Sequence, residues 1–140
     1  MANTIPILAA RLIFAGAFLL ALIYKVTGTE GTAAAIASLG LPFPYVLAWL
    51  AALFELGLVL AFLTGAFFRE AAALAALYVL FLGFAFYGPA TWQGNPMQMG
   101  FFINHLTFTA GLLFAFVHGP GRALALDWTT SWFAARGAER

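Results

Sequence analysis

The chain has 140 residues, 64% of them hydrophobic and 8% charged, against roughly 45–50% and about 25% in an ordinary soluble domain. That composition excludes a soluble globular domain, and a formal net charge of +1 is too small to neutralise the phosphates that nucleic-acid binding requires. Cysteine is absent, which excludes disulfides, thiolate catalysis and iron–sulfur ligation.

Apolar runs long enough to cross about 30 Å of hydrocarbon predict spans over 5–26, 43–63, 71–87 and 101–117. The expected fold is all-α, an integral membrane four-helix bundle over 1–118, with an interfacial tail over 119–140. The first run is too long for a signal core and lacks an A-x-A-like site after it, so it reads as a retained helix. On that helix Arg11, Phe18 and Lys25 recur at heptad spacing, which puts both cations on one face about 21 Å apart. Beyond it, Thr27 and Glu30 have capping-box spacing, and 33–39 is helix-prone until Gly40 stops it. A short helix on the outer surface is expected there.

The second span carries Glu55 near its midpoint. A carboxylate at that depth costs several kcal/mol unless it pairs or protonates, so Glu55 must face protein or water. Ala48, Ala51 and Ala52 share its face, leaving room for close helix contact or a cavity. Arg11 lies about 21 Å below the outer end of its helix and Glu55 about 18 Å below the start of its own. An Arg11–Glu55 ion pair is therefore expected. It serves either to fix helix register or to set the protonation of Glu55 beside a ligand cavity.

Ala72, Ala76 and Gly83 form a small-residue stripe on the third span, and Thr107 with Gly111 forms one on the fourth. Tyr87 ends the third span. The uncharged stretch 88–100 contains Trp92, Gln93, Asn95, Met97, Gln98 and Met99, and reads either as a lid dipping back toward the bundle or as a loose interfacial loop. Asn104 and His105 open the fourth span at about the level of Lys25, so that with Gln98 and Tyr87 they predict a polar cluster at the outer mouth. Imidazole exchanges protons near neutral pH. His105 is thus either a satisfied interface residue or, with Glu55, a catalytic residue, and Arg11, Lys25, Asn104, Tyr87 and Gln98 are the ligand-binding candidates. His105 and His118 stand about 20 Å apart along one helix and cannot share a haem. Met97 and Met99 form an M-x-M pattern too short to specify copper, so no haem or metal is expected.

An even number of spans leaves Arg11, Arg69, Arg122, Arg136 and Arg140 on one side and Lys25 on the other. This asymmetry predicts cytoplasmic termini in a cell inner (plasma) membrane. Trp128 and Trp132, four residues apart, suit an interfacial anchor ahead of Arg136 and Arg140.

The run from Arg11-Leu12 to Ile23-Tyr24-Lys25-Val26-Thr27-Gly28 and the segment Ile36-Ala37-Ser38-Leu39-Gly40-Leu41-Pro42 carry a resemblance, as do Phe54-Glu55-Leu56-Gly57 with Leu63-Thr64-Gly65 and the ending Gly119-Pro120-Gly121-Arg122 followed by Leu126-Asp127. Together they resemble the DoxX family of small four-helix membrane proteins. The resemblance implies a four-helix bundle. It also implies quinone-coupled oxidation, since the family takes its name from a membrane subunit of a thiosulfate:quinone oxidoreductase, and some members sit beside soluble redox or stress-defence partners. The family pattern carries over at Arg11, Lys25, Glu55 and the Asn104 region. His105 rests on the local reading alone. The resulting expectation is a quinone-interacting redox subunit, with ubiquinone or menaquinone as cofactor and a small reductant or partner protein as electron source. The alternatives are a non-enzymatic assembly or anchoring subunit and a small-solute transporter. The lipid bilayer is the expected surrounding, and a homo-oligomer or a soluble redox protein the expected partner.

Overall fold

In a computed structural model, which describes residues 4–125, the chain is all-α. The elements run α1 (Thr4–Thr27), α2 (Thr29–Ser38), α3 (Pro44–Thr64), α4 (Phe68–Tyr87), a 3-10 turn (Pro89–Thr91) and α5 (Pro96–His118). No strand occurs among the described residues. Of these helices α1, α3, α4 and α5 are long and apolar enough to cross a membrane: at 1.5 Å per residue even α4, with 20 residues, reaches about 30 Å. The all-α membrane fold and its four spans are those expected from the sequence. Trp128, Trp132, Arg136 and Arg140 lie outside the described residues.

The helices divide into two compact units. The first contains α1, α2 and α3, together with the segment that begins at Pro120; the second contains α4, the 3-10 turn and α5.

In the first unit Arg11, Ala15 and Phe18 form the buried face of α1, the face predicted by heptad spacing. Phe62 of α3 lies stacked on Phe18 at 5.8 Å and tilted on Phe14 at 5.6 Å, which sets the register of α1 against α3. The connection is tighter than the sequence suggested. Only Gly28 separates α1 from α2, so Thr27 belongs to α1 and its hydroxyl donates to Ile23 O at 2.8 Å. The capping box is therefore not formed: the N-cap of α2 is Gly28, without a side-chain bond. Pro44 supplies the first turn of α3 with its preset φ.

In the second unit two boundaries fall earlier than the hydropathy pattern placed them. Helix α4 starts at Phe68 because Arg69 and Glu70, which interrupt the apolar run, lie within its first turn. Helix α5 starts at Pro96, with Asn95 as N-cap, so the polar stretch from Met97 to Gly100 is helical rather than loop. The remaining connection is packed rather than loose. Trp92 Nε1 donates to Tyr87 O at 2.8 Å, and its ring lies 5.3 Å from that of Phe102. The predicted stripe on α4 is buried at Ala72, Ala76 and Gly83. The stripe on α5 is not: Thr107 is exposed, its hydroxyl donating to Ile103 O at 3.0 Å, and the buried residues are Phe102, Thr109 and Leu112.

Candidate functional site

Glu55 is 1% exposed, as the insertion cost of a mid-span carboxylate demands. Its ion-pair partner is Lys25, whose Nζ lies 2.7 Å from Oε1 with 17% of the side chain exposed. This corrects the expected Arg11–Glu55 pair. The depth comparison took the outer ends of the two helices as level. The contacts of Phe62 with Phe14 and Phe18 instead place the end of α1 well inside the first half of α3, so that α3 overhangs α1 by roughly seven residues, about 10 Å. Helix α2 packs on α3. Ala48 and Ala52 are buried on the Glu55 face, and their small side chains leave the lysine stem a path to the carboxylate.

Arg11 meets a different set of acceptors. It is 1% exposed, and its five N–H groups are all used. Nε donates to Phe62 O at 3.1 Å and Nη2 to Leu63 O at 2.8 Å, which serves the last-turn carbonyls of α3. Nη1 donates to Pro120 O at 3.3 Å and Ala123 O at 2.6 Å, and Nη2 also to Leu124 O at 3.2 Å. The chain bends unusually to bring these carbonyls together: Leu124, without glycine's freedom, holds φ 48°, a left-handed conformation that a residue other than glycine adopts rarely. Gly65 ends α3 at φ 76°, where a Cβ would stand 3.0 Å from the Ala125 Cβ and 3.2 Å from Arg11 Nη2. Residues 120–125 are thus folded against the α1–α3 pair by one guanidinium.

In the second unit Arg69 acts similarly, with Nη1 donating to Phe116 O at 3.3 Å and Val117 O at 2.8 Å and Nη2 to His118 O at 3.4 Å, at the C-terminal end of α5. Sequence reasoning used Arg69 only as a topology marker. Carbonyl acceptors carry no side-chain signature, and the earlier start of α4 was the one signal that would have exposed its role.

Tyr87 and His105 do come together, with ring centroids 5.0 Å apart, and Tyr87 also lies 5.3 Å from Phe101. His105 Nδ1 is 2.8 Å from Phe101 O. Helix α4 approaches closely here: a Cβ on Gly83 would lie 2.9 Å from the His105 Cβ. Gln98 is half-buried, and its Oε1 is buried without a hydrogen-bond partner. Asn104 lies on an exposed position of α5. The predicted polar residues thus form two groups: Lys25 with Glu55 in the first unit, and Tyr87 with His105 in the second.

A family model for DoxX matches residues 7–88. The chain belongs to the DoxX family. Within this DoxX chain the matched stretch takes in Arg11, Lys25, Glu55 and Tyr87, while Gln98, Asn104 and His105 on α5 follow it. No curated protein and no solved structure matches the chain.

Proposed function

We propose that this DoxX-family protein is a quinone-binding redox subunit of the plasma membrane, with its polar headgroup contact at Lys25 and Glu55. The observation that carries the reading is the ion pair itself, a 2.7 Å contact between a lysine 17% exposed and a carboxylate 1% exposed. Removing both charges from water costs several kcal/mol per ion, and a leucine pair would serve helix packing without that cost. The donor set suits the ligand. A quinone presents two carbonyl oxygens, which only accept, and an ammonium carries three N–H groups, which only donate. One N–H of Lys25 goes to Glu55, and the others supply a hydrogen bond to a carbonyl oxygen. Reduction of a quinone to a quinol consumes two electrons and two protons. Electrons come from a small reductant or a partner protein, and Glu55, adjoining the ammonium, is the group placed to relay protons. Both termini face the cytoplasm, an orientation supported by the arginines at Arg11, Arg69 and Arg122.

The test is equilibrium binding of short-chain ubiquinone and menaquinone analogues to the full chain in lipid nanodiscs, with empty nanodiscs as blank. Lys25→Met is expected to weaken binding at least about tenfold, the worth of roughly one charge-assisted hydrogen bond. Glu55→Gln is expected to retain binding and lose quinone reduction. Folded wild-type protein that binds neither analogue overturns the proposal. That result would favour a non-enzymatic anchoring subunit, a reading supported by Arg11, whose donors all serve the backbone.

A further inference from the structure

The α4–α5 pair carries a second polar site, and its chemistry follows from one tautomer. His105 Nδ1 lies 2.8 Å from the carbonyl oxygen of Phe101, one helical turn back. A carbonyl only accepts, so Nδ1 carries the hydrogen, and in the neutral imidazole Nε2 then bears a lone pair. No group among the described residues donates to that lone pair. His105 is half-buried, and Gln98, seven residues earlier on the same helical face, carries another acceptor, Oε1, which is buried without a partner. Both groups would accept a hydrogen that a ligand brings.

Aromatic rings adjoin the imidazole. The Tyr87 ring lies 5.0 Å from the imidazole and 5.3 Å from Phe101. Phe102 meets Phe84 edge-on at 4.9 Å and Trp92 at 5.3 Å. Ring-to-ring spacings of this size are those at which aromatic groups attract one another. Gly83 admits the close approach of α5, because any Cβ there would lie 2.9 Å from that of His105. The backbone also holds the loop in place, through the Trp92 Nε1 bond to Tyr87 O.

We propose that this end of the α4–α5 pair binds a hydroxylated aromatic molecule, a phenol or hydroquinone, whose O–H donates to Nε2 of His105 while its ring packs beside Tyr87 and Phe101. An oxidised quinone has no hydrogen to give, so the site favours the reduced, hydroxyl-bearing form. The inference needs no activity at Lys25 and stands apart from it.

The experiment compares 4-pentylphenol, 4-pentylanisole and 4-pentylcyclohexanol for binding to the full chain in nanodiscs, with empty nanodiscs subtracting partition into lipid. The phenol is expected to bind about tenfold tighter than its methyl ether, the worth of roughly one hydrogen bond, and tighter than the saturated alcohol. His105→Phe keeps a ring beside Tyr87 and removes the acceptor, so it should abolish the difference between phenol and ether. Nitrogen-15 histidine spectra provide a measurement independent of any variant, since the chain has 2 histidines: the Nε2 resonance of His105 should move with phenol and stay with the ether. Equal binding of phenol and ether by the wild type, or an unmoved Nε2 resonance, overturns the proposal. Equal binding of phenol and cyclohexanol overturns its aromatic part. Quinone binding that depends on Lys25 is read separately with Lys25→Met, so the failure of either site leaves the other measurable.

Discussion

Replacing Arg11 with methionine keeps most of the stem's volume and removes every donor from a cluster of five carbonyls. The structure sets the scale. Five hydrogen bonds from a cation, at about 1.5–3 kcal/mol each, are partly cancelled by the cost of burying the guanidinium in the native protein. Removing one side of such a buried cluster leaves a net loss of about 3–5 kcal/mol. In a chain of this size that lowers the apparent Tm by on the order of 10 °C. Arg11→Lys should recover less than half of the loss, because three donors on a point charge cannot span acceptors contributed by Phe62, Leu63, Pro120, Ala123 and Leu124. Circular dichroism melting in detergent reads the stability. Limited trypsin digestion reads the local effect, since Arg122 is exposed within the segment that Arg11 holds, and cleavage after it should accelerate in Arg11→Met well below the melting temperature. A variant that melts within about 2 °C of wild type and is cut at Arg122 at the wild-type rate would refute the assignment of Arg11 as the fastening of residues 120–125.

The Lys25–Glu55 pair yields a double-mutant cycle: Lys25→Met or Glu55→Leu alone should destabilise by about 3–5 kcal/mol, and the two together should return close to wild type, because apolar replacement of a whole buried pair is near neutral. Additive losses in denaturant titrations would show that the two side chains do not depend on each other. Orientation is open to a clean test because the chain has no cysteine: Ser38→Cys should react with a membrane-impermeant maleimide in intact cells and Arg122→Cys only after permeabilisation, and the reverse pattern would invert the topology.

Burial was legible in the sequence where the bilayer makes it expensive to be wrong. Glu55 faces inward because an acid among acyl tails is too costly, and Arg11 and Phe18 share a buried face because seven residues make two helical turns. Partner identity was not legible. The choice of Lys25 over Arg11 for Glu55 depends on the overhang of α3, which is set by Phe62 against Phe14 and Phe18, and no periodicity in either helix encodes that offset. The acceptors of Arg11 and Arg69 are backbone atoms, which any residue supplies. The start of α5 was visible in Asn95-Pro96, an N-cap followed by proline at the first helical position, but the polarity of Gln98 and its neighbours outweighed that signal. Tyr87 and His105 were placed together by depth alone, and the contact is present.

Arg11 lies in the early part of α1 and Arg69 in the first turn of α4, and each guanidinium closes the far end of the following long helix in its own unit. During biogenesis, positive charge beside a span holds that end back from translocation; once the hairpin has closed, the same charge neutralises the negative pole of the returning helix. Each of these arginines closes a hairpin in the folded chain, and the same charge is expected to bias which way that hairpin threads. Neutral substitutions at either position should accordingly produce a mixed population, in which some molecules are loosened and others inserted upside down.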